Sequence, residues 1–156
     1  ATEDLLVETI GFRRVAVDGH RVRYESGDGG SGTFVDLLHN PSAAPGRVAG
    51  GSVQHIAFRM ADDDAQADWQ RRLFEAGHPT TEVKDRMYFH SVYFREPGGV
   101  LLELATDNPG FAADEPVEEL GTGLRLPPWF ESMRDRIEQT LPAVENPQDR
   151  RAGEAA

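Results

Sequence analysis

A histidine and a glutamate stand out in this sequence because each lies within an apolar, strand-like run. His55 lies in residues 53–59, whose β-branched and aromatic content is typical of a strand with alternating faces. Glu103 is the only charged residue in 99–106. An ionised carboxylate in such a run is costly to desolvate unless a cation compensates it. The sequence therefore predicts a cationic partner for Glu103.

Two kinds of partner are compatible with Glu103. An ion pair is one, and Arg59, Arg86 and Arg95 are its candidates. The other is a metal ion shared with His55, because imidazole and carboxylate groups both bind divalent metals. The chain has no cysteine, so any metal must be held by nitrogen and oxygen ligands. A hydrogen-bonded structural histidine is the ordinary alternative, and the two residues alone leave these interpretations open.

The composition limits the class of protein. The chain has 156 residues, of which 38% are apolar, enough for one ordinary domain or two small ones. Its formal net charge of −11 argues against a nucleic-acid or anionic-membrane partner, which would favour a basic face. No apolar run approaches the roughly 20 residues of a transmembrane helix, and no signal segment is evident. We therefore expect a cytoplasmic protein.

The elements around His55 and Glu103 are predicted in the order β-α-β-β-β. After the His55 strand, a helix opens with the acidic residues 62–64, which compensate the positive charge of a helix N-terminus, and ends at Gly77. Three strands follow, at 80–84, 88–94 and 99–106. This arrangement places the histidine on the first strand of the unit and the glutamate on the last.

The first part of the chain repeats this order without its first strand. A helix capped by Thr2 is predicted over 3–10, then strands at 12–17, 21–25 and 33–38, with a hairpin turn at Asp18 and Gly19. Gly32 precedes Gly99 by 67 positions, and Asp36 precedes Glu103 by the same number. The counterpart of the His55 strand would precede residue 1. We therefore expect one and a half copies of a module.

Two further segments are interpreted structurally. Residues 27–32 formally match G-x-G-x-x-G, but a strand pattern follows instead of a helix, so an ordinary loop is predicted. Beyond residue 108 a linker leads to a helix from Pro128 to about Leu141. Its apolar stripe is predicted to pack against the modules and consists of Phe130, Met133, Ile137 and Leu141. Residues 145–156 are predicted to be disordered.

The combination of four motifs is more specific than the order of elements. The motifs are QHIAFR at 54–59, DRMYF at 85–89, YFREPGG at 93–99 and LELATDNPGF at 102–111, and LRLPPW at 124–129 also fits. Together they resemble the vicinal oxygen chelate superfamily, which includes glyoxalase I, bleomycin-resistance proteins and extradiol dioxygenases. Within it, the chain resembles the C-terminal half of ring-cleaving dioxygenases of the hydroquinone type, over nearly its whole length.

The resemblance implies a fold class and a division of the chain. The fold is α+β, built of βαβββ modules of the vicinal oxygen chelate fold, one complete and one lacking its first strand, plus a C-terminal helix. The partial module is expected over 1–48, the complete module with metal ligands over 49–112, and a C-terminal extension over 113–156.

The resemblance also implies a metal site. Two histidines and a glutamate of the family hold a mononuclear Fe(II) or Mn(II) and leave adjacent positions for substrate and O₂. His55 and Glu103 match two of these ligands, and the other histidine belongs to the first strand of the N-terminal half, which this chain lacks. Arg86 and Tyr93 match positions near the substrate oxygens and O₂. Many relatives have a histidine at the position of Gln54. The resemblance therefore implies no proton-transfer role for Gln54.

These positions imply a ring-cleaving dioxygenase acting on a hydroquinone or catechol. Its partners would be a small aromatic substrate, O₂, and either the missing N-terminal half of the protein or a second copy, in a homo-oligomer. A glyoxalase-like lyase or isomerase, or a metal-free protein that sequesters an antibiotic, remains an alternative. Arg86 could instead be a surface charge or pair with Glu82 or Asp85, and Tyr93 could be a core aromatic.

Overall fold

Two small β-sheets form the framework of the chain. The computed structural model describes residues 1–44 and 46–142. The strands within these ranges are β1 (Arg13–Asp18), β2 (Arg21–Glu25), β3 (Phe34–Leu38), β4 (His55–Met60), β5 (Lys84–Asp85), β6 (His90–Arg95) and β7 (Leu101–Thr106). The first sheet has the order β1-β2-β3, and the second has the order β4-β7-β6-β5.

A helix precedes the antiparallel strands of each sheet. The first, α1, comprises an α-helical Thr2–Asp4 and a π-helical Leu5–Ile10, and α2 spans Asp63–Glu75. Gly11 and Gly77 follow these helices with φ angles of 88° and 84°. This left-handed conformation strains residues with a Cβ but not glycine. The predicted glycine stops and the repeated order of elements are confirmed.

The two sheets differ by one strand. In the second sheet β7 is central, with β4 parallel on one side and β6 antiparallel on the other. In the first sheet β3 holds the corresponding place but pairs with β2 alone. Within the described residues, the chain therefore has one complete βαβββ module and one without its first strand, as predicted.

Helix α2 covers one face of the second sheet. Leu73 is fully buried in a cluster with residues of β6 and β7, namely Val92, Phe94, Leu102 and Leu104. Gln66 is also buried, and its Nε2 donates to the carbonyl oxygens of His90 and Leu104. Because side chains alternate along a strand, the residues between these apolar positions face away from the helix. Glu103 is one of them.

Three local predictions differ from the structure. The strand expected at 80–84 is reduced to β5 and a bridge between Thr80 and Phe94. The regular pairing is interrupted because the N–H of Tyr93 donates to the Thr81 hydroxyl and not to a main-chain carbonyl. The first hairpin turns one residue later than predicted, since Asp18 already pairs with Arg21. Thr2 does not cap α1, because its hydroxyl donates to Glu96 of the complete module.

The C-terminal helix forms but does not pack as predicted. A 3₁₀ turn at Pro128–Met133 leads into α3 (Arg134–Thr140), and Phe130, Met133 and Leu141 remain 41–51% exposed. Polar contacts hold this segment, because Arg134 pairs with Glu131 and Glu138 and donates to the carbonyl of Leu124. The predicted apolar packing face is therefore wrong.

The predicted disorder of 145–156 lies outside the described residues. No helix in 1–44 or 46–142 is long and apolar enough to cross a membrane.

We expect Leu73→Ala to destabilise the fold by about 2–5 kcal/mol, because a fully buried leucine leaves a cavity when truncated. Phe74→Ala is the matched control, since the adjacent side chain is 72% exposed and its loss should change the free energy of unfolding by about 0.5 kcal/mol at most. Urea denaturation measures both. Equal destabilisation by the two variants would contradict this description of the core.

Candidate metal centre

Glu103 lies at the centre of the second sheet with its side chain only 3% exposed. It stands opposite Ala57 of β4 and Tyr93 of β6. His55 begins β4 on the same face, two residues before Ala57, and its Nε2 lies 2.7 Å from Oε2 of Glu103. The partner predicted for Glu103 is therefore the imidazole of His55. A metal ion shared by the two residues would use the same imidazole as a ligand.

The three arginines considered as ion-pair partners of Glu103 are engaged elsewhere. Arg59 Nε lies 2.7 Å from a carboxylate oxygen of Asp107, and Arg95 donates to the carbonyl of Gly99. Arg86 contacts Tyr93. The simple arginine ion pair with Glu103 is therefore wrong.

The second oxygen of Glu103 has a partner that the sequence analysis missed. The hydroxyl of Ser91 donates to Oε1 of Glu103, and Ser91 is completely buried. Ser91 precedes Tyr93 by two positions on β6, so the two residues share a face of the sheet. This alternation is the signal that could have identified Ser91, but serine is too common in strands for the signal to be specific.

Tyr93 and Arg86 extend the site from His55. The rings of His55 and Tyr93 meet edge to face, with centroids 5.8 Å apart. Arg86 Nη2 donates to the Tyr93 hydroxyl at 3.3 Å. Asp85, an alternative partner for Arg86, accepts the N–H of Met87 instead. The four predicted site residues thus form one contiguous chain, from Arg86 through Tyr93 and His55 to Glu103.

The turn that carries Arg86 is strained. Met87 has a φ of 70°, in the left-handed region that residues with a Cβ rarely adopt. The Asp85 side chain and a backbone bond from Arg86 N–H to the carbonyl of Phe89 hold the turn in this conformation. Strained backbone of this kind is often found at functional sites, where surrounding contacts maintain it.

A cavity of about 380 Å³ opens beside His55 and Glu103. Small residues form its floor, Ala57 and Ala105, and aromatic residues form its wall, Tyr88, Phe89 and Phe111. Tyr88 and Phe111 stack with centroids 5.3 Å apart. Phe111 is 62% exposed, so it contributes more to this wall than to the core. The volume and lining suit a single aromatic ring.

The tyrosine of the aromatic wall is fixed by the C-terminal extension. The Tyr88 hydroxyl donates to a carboxylate oxygen of Asp114 at 2.8 Å. Partial burial, and then the nearby Asp114 carboxylate, raise the pKa of Tyr88, so its hydroxyl stays protonated as the donor. The aromatic wall was missed as a unit, because the sequence does not show that residues 88 and 111 stack.

The arrangement of His55 and Glu103 fits a divalent metal ion. Nε2 of His55 and Oε2 of Glu103 lie 2.7 Å apart, close to the separation of about 3 Å expected for two adjacent ligands bound to one ion at about 2.1 Å each. One imidazole and one carboxylate suit Fe(II) or Mn(II). Among residues 1–44 and 46–142 no group of three or more histidine, aspartate or glutamate side chains converges. The described part of the chain therefore offers two ligands.

The counterpart of Glu103 in the partial module is occupied differently. Asp36 of β3 receives hydrogen bonds from Arg23 Nε and Nη2 at 2.8 and 2.9 Å and from Arg21 at 3.1 Å. The hydrogen bond from Arg23 is the largest cause that lowers the pKa of Asp36 to about 2. With both oxygens engaged by guanidinium groups, Asp36 is not presented as a metal ligand.

Comparison with known proteins shows that the chain is similar to named enzymes. Residues 4–104 match the model of the Glyoxalase/Bleomycin resistance protein/Dioxygenase superfamily. The chain is 46% identical over 140 residues to "Putative ring-cleaving dioxygenase MhqO" of Bacillus subtilis, covering 90% of this chain and 44% of that protein. It is 37% identical over 127 residues to "Chlorohydroquinone/hydroquinone 1,2-dioxygenase" of Sphingobium indicum, covering 80% and 39%. The chain thus spans less than half of these relatives.

Solved structures agree with the fold and the family. A crystal structure described as "putative dioxygenase" from Bacillus subtilis superposes with a TM-score of 0.84 at 46% identity, over 92% of this chain and 46% of that one. The lactoylglutathione lyase of Agrobacterium tumefaciens superposes with a TM-score of 0.51 at 22% identity, over 68% and 83%, and shares the fold alone. The chain belongs to the Glyoxalase/Bleomycin resistance protein/Dioxygenase superfamily.

Proposed function

We propose that this chain is the C-terminal half of a non-haem Fe(II)-dependent ring-cleaving dioxygenase of the extradiol type, which opens a hydroquinone or catechol ring with O₂. The observation that carries the proposal is the 2.7 Å approach of His55 Nε2 to Glu103 Oε2 beside an aromatic-walled cavity. Relatives named as ring-cleaving dioxygenases support the reaction class. Mn(II) suits the same donor atoms.

Each site residue has a role in this proposal. A bound Fe(II) would supply the electron transfer between substrate and O₂, and His55 and Glu103 would be two of its ligands. The guanidinium of Arg86 stabilises negative charge that develops on the substrate oxygens. The hydroxyl of Tyr93 contacts Arg86, and it donates a proton to, or accepts one from, the substrate oxygen beside Arg86.

The cavity lining supports an apolar ring as the substrate. The aromatic wall of Tyr88, Phe89 and Phe111 can stack on a ring held with its hydroxyl groups toward Glu103. Arg59, at the rim of the same cavity, is neutralised by Asp107 and does not favour a carboxylate on the substrate.

We further propose that the third ligand is a histidine on a strand that pairs with the free edge of β3. This edge borders a second cavity, of about 810 Å³, whose lining is mainly apolar and includes Leu6, Val35, Ile56 and Phe58. The N-terminal half of the same protein would supply the strand, or a second copy of the chain would cover the edge in a homo-oligomer. We also propose the division of the chain into a partial module (1–48), a complete module (49–112) and a C-terminal extension (113–156).

In the full-length protein that contains this chain, we expect Glu103→Gln to abolish binding of about one iron or manganese per chain, because an amide is a much poorer ligand than a carboxylate. Glu115→Gln is the matched control: Glu115 is also buried but pairs with Arg125 in the C-terminal extension. Elemental analysis of the purified proteins measures the metal. A metal-free wild type would instead support a sequestering protein.

We expect the anaerobically reconstituted full-length protein to consume O₂ with members of a panel of hydroquinones and catechols. Tyr93→Phe should lower kcat by about 10²–10⁴-fold without loss of metal, because it removes the transferable proton. Tyr24→Phe, in the core of the first sheet, should leave kcat unchanged. Iron binding without O₂ uptake for any phenol would reject the dioxygenase and favour a glyoxalase-like lyase or isomerase.

We expect the 156-residue chain alone to self-associate or to bind the separately expressed N-terminal half, and to hold iron weakly until it does, because its described residues offer two ligands and an open sheet edge. Sedimentation velocity and iron titration, with and without that half, measure this. A monodisperse monomer with tight stoichiometric iron would place the third ligand within this chain, and exposed His39 would be the first candidate.

A further inference from the structure

The two carboxylate oxygens of Glu103 have different partners. Oε2 faces Nε2 of His55, whereas Oε1 accepts the hydroxyl of Ser91. We propose that Ser91 is a positioning residue that keeps Glu103 a ligand through one oxygen only. The inference rests on the proposed metal-dependent function, and it concerns a side chain that contacts neither the metal nor the substrate.

The fold holds Ser91 and Glu103 rigidly against each other. Glu103 lies on β7, which is paired on both sides, and Ser91 lies on the neighbouring β6. Ser91 is 0% exposed, and Glu103 is 2% exposed, so no water competes for their contact. Neither strand can shift without breaking its ladders of backbone hydrogen bonds. The serine hydroxyl is therefore a fixed donor to Oε1.

Val92 provides the internal comparison. It is equally buried and adjacent in sequence, but it faces α2 on the opposite side of the sheet. An apolar residue at position 91 would pack as well as serine and would avoid the cost of burying a hydroxyl. The hydrogen bond to Glu103 offsets that cost, and it gives this position a role beyond packing.

The number of carboxylate oxygens on the metal has a chemical consequence. If a bound ion has six coordination positions, three protein ligands that each use one atom would leave three of them, enough for two substrate oxygens and O₂. A glutamate that used both oxygens would take one of these positions. By engaging Oε1, Ser91 leaves a single oxygen of Glu103 to face the position shared with His55, and it also fixes the direction of that oxygen.

The test uses the full-length protein loaded with Co(II), whose visible absorption changes with coordination number. We expect Ser91→Ala to weaken Co(II) affinity by about 10–100-fold and to alter the absorption spectrum, because Glu103 is no longer oriented. Ser91→Thr retains the hydroxyl and should restore both. Val92→Ala should lower thermal stability but leave the Co(II) affinity and the spectrum unchanged. If Ser91 had a purely structural role, Ser91→Ala would behave in the same way as Val92→Ala.

The outcomes separate this inference from the proposed function. A wild type that binds no Co(II) overturns both. A wild type that binds Co(II), with Ser91→Ala unchanged in affinity and spectrum, overturns the role of Ser91 and leaves the proposed function standing. Equal impairment of Ser91→Ala and Ser91→Thr also overturns it. If Ser91→Ala does not fold, Ser91→Gly replaces it, because glycine also lacks the hydroxyl and adds no metal ligand.

Discussion

The burial of one carboxylate governs the organisation of the complete module. Glu103 lies on a strand paired on both sides, where an ionised group must be compensated by charge or hydrogen bonds. His55 on one neighbouring strand and Ser91 on the other supply those contacts. The apolar residues between these polar ones face α2, so a single strand pattern builds the core on one face and a polar centre on the other.

The two modules place a carboxylate at the same point but use it differently. Asp36 and Glu103 occupy equivalent positions on the last strand of each unit, yet two arginines enclose Asp36 whereas an imidazole and a hydroxyl approach Glu103. Guanidinium groups are permanent charges that exclude a metal, whereas a neutral imidazole can share one. Of these two carboxylates in the described residues, Glu103 alone is therefore a candidate metal ligand.

The sequence predicted those features that depend on local pattern. His55 and Glu103 were recognisable because polar groups in apolar runs are unusual, and helix-ending glycines revealed the repeated unit. Contacts between elements were harder to predict: the bond from Ser91 depends on strand register, and the stacking of Phe111 depends on the path of the chain after β7. Periodicity likewise predicted an amphipathic C-terminal helix but not whether anything covers it.

The central claim is that His55 and Glu103 share one metal ion. Anomalous diffraction at the iron absorption edge, from crystals of the full-length protein prepared anaerobically with Fe(II), tests it most directly. The account predicts one peak within about 2.3 Å of both His55 Nε2 and one oxygen of Glu103. The absence of a peak there, with the two side chains still in direct hydrogen-bonding contact, would contradict it and would identify the pair as a structural element of the sheet.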